Sequence, residues 1–215
     1  MAEPRESRRS YHSPRREAQA AATRGEILDA AGRLFAEQGY PATTMGAIAA
    51  EAGVALKTVY VAFETKDGVL RALWNRTLRG DDDDIPVGEQ DWYRETLAEP
   101  DPERRLRLNA RNSARGKERV GVVAQVIRAA APSDPEIAAL WARIQSEYRE
   151  NQQAIVAGID AKGALRPGLD VARATDILWT LNNPDVWHLL VGLRGWTAAE
   201  YERWCGDAAV TQLLR

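Results

Sequence analysis

From Thr23 onward the apolar positions recur with a helical period. Ile27, Leu28, Ala31, Leu34 and Phe35 fall on one face, which predicts a first helix over roughly 20–38, and Gly39 with Pro41 supplies its stop. Thr43 and Thr44 offer an N-cap for a short helix at about 45–52, and Gly53 stands where the chain must turn with a positive φ. A third helix is expected at about 56–63. A fourth follows, capped by Thr65, with Asp67 near its positive end and Val69, Leu70, Leu73, Trp74 and Leu78 as its apolar stripe.

Beyond these four the pattern coarsens. The run Gly80–Gly88, with four adjacent aspartates and Pro86, reads as a solvated loop, because neighbouring carboxylates repel and proline breaks a helix; the spacing of a calcium loop is absent. Leu106–Ala131 predicts one long helix, with Gly116 and Gly121 as places for a bend. Ser133-Asp134-Pro135 opens another, carrying Ile137, Leu140, Trp141, Ile144, Tyr148, Ile155 and Ile159 and ending at Gly163. Asp170 starts a further helix that Pro184, preceded by Asn182 and Asn183, interrupts. Thr197 caps the last, on which Tyr201, Trp204, Cys205, Ala208 and Leu213 share a face. No segment alternates with period two, so the expected class is all-α: an N-terminal three-helix helix-turn-helix domain joined to a larger C-terminal helical bundle. The expected divisions are a basic disordered arm over 1–22, the helix-turn-helix domain over 23–68, and the remainder over 69–215.

Composition narrows the class. With 45% hydrophobic and 28% charged residues in 215, the chain has the make-up of an ordinary folded domain. The longest apolar stretches are far shorter than the ~20 residues of a membrane span. The first residues carry arginines without an apolar core, so no secretory signal is expected and the cytoplasm is the expected location. One cysteine, Cys205, cannot form an internal disulfide, and His12 and His188 are too far apart to suggest a local metal site, so neither metal nor cofactor is expected. The net charge of −2 conceals an asymmetry: residues 1–79 hold 12 Lys+Arg against 9 Asp+Glu, and residues 80–215 hold 17 against 22. A basic front suits a phosphate backbone and an acidic rear suits solubility or self-association.

The stretch Met45–Phe63 carries the most specific chemistry. Two short helices cross closely only if the fifth position is small, the ninth can turn sharply and apolar residues fill the contact. Ala49, Gly53, Ile48, Val54 and Val59 meet those demands, though an ordinary helical hairpin in a core would share them. The surface of the second helix separates the two readings. In a helix-turn-helix its N-terminal residues face base edges in the major groove. Here these are Leu56, Lys57 and Thr58; Lys57 can donate to guanine O6 or N7, and Thr58 offers a hydroxyl and a methyl. Tyr60 can place its hydroxyl on a phosphate, and Lys66, at the start of the next helix, can grip one.

Thr23–Trp74, with its segments LFAEQGY, ATTM, IAAEAGV and TVYVAFETKD, resembles the N-terminal domain of the TetR family of transcriptional regulators. That resemblance implies a homodimer acting on a palindromic double-stranded DNA operator, a helical core that binds a small-molecule effector, and repression relieved by that effector. By family position Thr44, Tyr60 and Lys66 would contact phosphates while Lys57 and Thr58 read bases. Ala62 departs from members with a larger polar residue there. The resemblance continues more faintly in DPEIAALWARI, GALRPGLDVARATDILWTLNNPDVWHLLV and RGWTAAEYERW. It implies that helices at about 170–191 and 197–214 pair with their copies in the dimer, burying Trp204 and Leu213.

For an effector pocket the candidates are Trp141, Tyr148, Trp179, Asn182, Trp187 and His188, aromatics with polar companions near a helix irregularity; core packing would explain any one of them equally well. The arginines ahead of the first helix (Arg5, Arg8, Arg9, Arg15 and Arg16) would either enter a minor groove or merely solubilise the chain. A helical-scaffold enzyme using Cys205 and His188 lacks an orienting acid, and no phosphate loop, paired-histidine motif or nucleophile elbow is present. The chain is therefore not expected to be an enzyme. A protein partner in place of a small molecule remains the alternative input.

Overall fold

The computed structural model describes residues 14–79 and 87–215. Among the described residues there are ten α-helices and no strand. Helix α1 spans Pro14–Ala42 and breaks at Gly39, whose φ of 78° sends the chain into the next turn. Helices α2 (Met45–Glu51), α3 (Leu56–Phe63) and α4 (Lys66–Arg79) follow at short intervals. After them come α5 (Asp91–Ala98), α6 (Pro102–Ala130), α7 (Pro135–Asp160), α8 (Val171–Leu181), α9 (Pro184–Trp187) and α10 (Ala198–Leu213).

Side-chain caps set most of the starts, as the sequence predicts. Thr44, Asp134, Asp170, Asn183 and Thr197 each accept from backbone amides in the first turn of α2, α7, α8, α9 and α10. Thr197 and Glu200 form a reciprocal capping box. Asn183 and Pro184 restart the helix broken at Asn182, and α9 runs on as a π-helix over His188–Leu193.

Two expectations about the helices need correction. The disordered arm does not extend to residue 22, because α1 already begins at Pro14. Its extra turns, REAQAAATR, are rich in strong helix formers but almost wholly exposed, so no apolar period announces them. Arg15 and Arg16 lie on these exposed turns; Arg5, Arg8 and Arg9 lie outside the described residues, as does most of the Gly80–Gly88 loop. Helix α5 was not expected at all. It is only eight residues long, and Tyr93 and Thr96 are its buried positions.

The apolar interior forms two clusters. One joins the buried faces of α1–α4 to Val120, Val123, Ala124, Ile127 and Ala130 of α6 and to Ile137, Leu140 and Ile144 of α7. The other joins Leu106, Ala110 and Ala114 of α6 and Ile155, Val156 and Ile159 of α7 to α8 and α10. Both clusters therefore share α6 and α7, and the seam between them crosses both helices at mid-length. The side chains at that seam are polar: Lys117 on α6, and Tyr148 and Gln152 on α7. Leu213 and Cys205 are completely buried in the second cluster, within the single chain. Leu213 is thus a core residue of the protomer, correcting its expected place at a dimer interface, whereas Trp204 remains half-buried against Trp196 and Tyr201.

Candidate nucleic-acid interface and the cavity behind it

Helices α2 and α3 meet at 112°, within the usual range for a helix-turn-helix. Gly53 makes the turn with φ 67°, and the Val54 amide donates to the Ala49 carbonyl (3.0 Å), tying the turn back onto α2. Ile48, Ala49, Val59 and Phe63 are buried at the crossing. The opposite face of α3 is open: Leu56 is 45% exposed, Tyr60 48% and Val61 75%, Lys57 is exposed, and Thr58 is partly so. Leu56, Lys57, Thr58 and Tyr60 thus project together from the first turn and a half. Thr44 is also exposed, its hydroxyl oxygen accepting from the Ala47 amide (3.1 Å) and its O–H still available.

Three contacts hold α2 and α3 in place. The Arg24 guanidinium of α1 donates to the Ala62 carbonyl and lies 4.1 Å above the Phe63 ring, closing the C-terminal end of α3. Arg33 and Glu51 pair α1 with α2 at 2.9 Å. The α3–α4 turn is tight, with Glu64 at φ 63° and the Thr65 hydroxyl accepting from the Gly68 amide (3.1 Å). A Cβ at Gly68 would fall 2.3 Å from the Phe63 carbonyl oxygen, which is backbone and cannot swing away. Gly68→Ala is therefore expected to displace the recognition helix. Thermal unfolding should show a loss of about 1–3 kcal/mol, with weaker duplex binding beside it; unchanged values for both would refute the crowding.

Lys66, expected on a phosphate, is turned inward. Its ammonium donates to the carbonyls of Tyr40 (2.9 Å) and Thr43 (3.0 Å) and sits 4.1 Å over the Tyr40 ring. Burial lowers its pKa, with Asp134 opposing the shift. The Tyr40 hydroxyl donates to Asp134 at 3.1 Å, so the α1–α2 corner, the start of α4 and the start of α7 meet at one point. Burial and the neighbouring Asp134 carboxylate push the Tyr40 hydroxyl far above its ordinary value, keeping it a neutral donor.

Behind α4 lies a cavity of about 120 Å³ at the polar seam. Trp74 and Leu78 of α4 line it, together with Trp92 and Tyr93 of α5, Asn109, Asn112, Ser113 and Lys117 of α6, and Gln145 and Tyr148 of α7. Lys117 is 5% exposed. Its ammonium donates to the Ser113 hydroxyl and lies 3.4 Å from the Tyr148 oxygen, 5.7 Å from the Tyr148 ring centre and 5.3 Å from that of Tyr201. Tyr148 passes the chain on by donating to the Asn182 carbonyl (2.7 Å). Tyr201 donates to the Leu181 carbonyl (2.9 Å), and the Cys205 thiol lies 3.4 Å from the Asn182 side-chain oxygen. The carbonyls freed where α8 breaks are thereby satisfied. Burial pushes Lys117 down to about 7 and Cys205 up to about 11.

The six pocket candidates do not gather in this cavity. Tyr148 lines it, and Asn182 is reached through its carbonyl. Trp141 packs on the N-terminal cluster, and Trp179 is half-buried with an indole N–H lacking a partner. Trp187 packs edge-on to Tyr201, with centroids 4.9 Å apart, and it lines a wider, open groove with His188. Lys117 and Ser113 were missed, although a signal was present: Lys117 interrupts the inward series Ala110, Ala114, Val120, Ala124 of α6. Cys205 and His188 do not form a catalytic pair: the thiol is sealed among Leu181, Asn182 and Tyr201, while His188 lines the groove.

No single helix among the described residues is long and apolar enough to cross a membrane. The model of the bacterial regulatory proteins of the tetR family matches residues 27–73. No curated protein sequence matches the chain. Among solved structures, NalD, the secondary repressor of the MexAB-OprM multidrug efflux pump in Pseudomonas aeruginosa, superposes with a TM-score of 0.72 at 22% identity, over 92% of this chain and 98% of that one. SmeT, the repressor of the Stenotrophomonas maltophilia multidrug efflux pump SmeDEF, superposes with a TM-score of 0.67 at 21% identity, over 91% and 92%. A candidate transcriptional regulator from Saccharomonospora viridis in complex with choline gives 0.68 at 18%, over 91% and 99%. At these identities the likeness establishes the fold across nearly the whole chain. Residues 27–73 match the helix-turn-helix domain of the tetR family, and the chain as a whole has the fold of the solved regulators on which it superposes.

Proposed function

We propose that two copies of the chain bind a palindromic operator as a repressor and that a small molecule in the cavity behind α4 releases them. Leu56, Lys57 and Thr58 read base edges, and Thr44 and Tyr60 hold phosphates, with the two recognition helices roughly 34 Å apart on successive major-groove turns. The observation that carries the gating reading is the position of α4. Trp74 and Leu78 wall the cavity, while Lys66 at the other end of the same helix grips the corner from which α2 departs. A ligand that favours a different position of α4 would thereby favour a different spacing of the recognition helices.

Selection from random duplexes should yield a two-fold symmetric site. On that site Lys57→Ala is expected to cost about 1–3 kcal/mol and to relax preference at one base pair of each half-site. A Lys57→Ala protein with unaltered sequence preference would remove Lys57 from base reading, and a protein that prefers no duplex over random DNA would sink the function itself.

A further inference from the structure

Lys117 is a buried amine that carries its proton below about pH 7, and its partners are neutral. Its contacts are the Ser113 hydroxyl and carbonyl, the Tyr148 oxygen and two aromatic rings, and among the described residues no carboxylate pairs with it. A buried charge is ordinarily paired, because taking an ammonium out of water costs several kcal/mol that neutral acceptors only partly return. The cavity beside it has aromatic walls at Trp74, Trp92 and Tyr93. The amides of Asn109, Asn112 and Gln145 also face it, and the Gln145 side-chain oxygen is buried without a partner. The other charged residues on its lining are Glu147 and Arg119, both exposed at the protein surface. The site therefore presents one buried, unneutralised positive charge in a cavity with aromatic walls, about the size that admits a single ring.

We infer that this cavity takes a small organic acid, a single-ring aromatic carboxylate, whose carboxylate seats on Lys117 while its ring lies between the aromatic side chains. The inference rests on the reading of the cavity as the effector site and names the class of effector. The ligand carboxylate supplies the countercharge that the fold omits. A cationic ligand of the same shape meets the ammonium and is rejected, since like charges brought together out of water cost several kcal/mol. Selectivity for acids thus comes from a charge left unpaired in the empty site.

The test uses the full-length protein without DNA and three isosteric probes: benzoate, neutral benzamide and cationic benzamidine. Trp74 and Trp92 on the cavity wall provide a fluorescence readout of binding, and calorimetry provides a second. Benzoate should bind at least tenfold more tightly than benzamide, and benzamidine more weakly still. Lys117→Met, close to lysine in length, should bring benzoate down to the level of benzamide without changing affinity for the amide. Benzoate binding no better than benzamide, benzoate binding indifferent to Lys117→Met, or no binding of any probe would each overturn the proposal. The gating reading is tested separately by operator affinity. Release of DNA by a neutral compound would preserve gating while the acid site falls; benzoate bound at Lys117 without effect on operator affinity would preserve the acid site while gating falls.

Discussion

Lys117→Met is expected to stabilise the ligand-free protein by about 2–4 kcal/mol at pH 6, and by progressively less as the pH rises towards 10. The reason is the cost of holding an ammonium at the polar seam. Lysine ordinarily titrates at 10.5, and in the folded protein burial brings Lys117 to about 7. Below pH 7 both folded and unfolded chains carry the proton and the full cost of the buried charge is present. Between 7 and 10.5 the unfolded chain binds a proton that the folded chain has released, so stability rises with pH across that window. The gap corresponds to roughly 5 kcal/mol at most, and relaxation of the site reduces it. The groups facing Lys117 do not compete in this range. Tyr148 from α7 and Tyr201 from α10 are pushed well above their ordinary values by burial, and Cys205 from α10 is raised to about 11. Methionine leaves little orphaned, because the Ser113 and Tyr148 hydroxyls remain 2.9 Å apart and Tyr148 keeps its bond to Asn182. Urea unfolding of both proteins at pH 6, 7.5 and 9 checks the result. A difference that does not shrink with pH, or a less stable variant at pH 6, would show that Lys117 is adequately solvated where it lies.

Lys66→Met should weaken operator binding more than tenfold while leaving its salt dependence almost unchanged. A lysine that neutralises a phosphate contributes about one unit to the slope of log affinity against log salt, and its removal lowers the slope accordingly. The geometry of Lys66 points the other way, because its hydrogen bonds run to the Tyr40 and Thr43 carbonyls. Hydrogen bonds from a charged donor contribute about 1.5–3 kcal/mol each. Their loss would free the corner that sets the start of α2 and, with it, the angle at which α3 is presented. Thermal unfolding should register a loss of about 3–6 kcal/mol from the two bonds. A slope reduced by one, with stability intact, would restore Lys66 to the phosphate role that its sequence position suggests.

These two lysines also mark where sequence stops being informative. Both occupy positions whose local surroundings were read correctly. Lys66 opens a helix capped by Thr65, and Lys117 lies within one long helix. Their roles depend on partners distant in sequence: Tyr40 and Thr43 for the first, and Tyr148 and Tyr201 for the second. The pocket candidates failed to converge for the same reason. Trp141, Trp179 and Trp187 have the residue type of a ligand wall, but type does not say which face of a bundle a side chain meets. Leu213 shows the converse error, since an apolar stripe looks alike whether it meets its own core or another copy.

What the sequence determined by itself is everything carried by short-range rules. The caps at Thr44, Asp134, Asp170, Asn183 and Thr197, the positive φ of Gly39 and Gly53, and the exposed Lys57 and Tyr60 opposite the buried Val59 and Phe63 all arise within a few residues. Hydrogen-bond geometry and helical period act over that distance, so the residues alone suffice. Tertiary structure decided that two apolar clusters share α6 and α7, that polar side chains collect at their seam, and that α4 walls the cavity there while holding the helix-turn-helix at its other end. Those outcomes depend on which helix faces meet, and a helix carries no mark in its own sequence of the partner that will cover it.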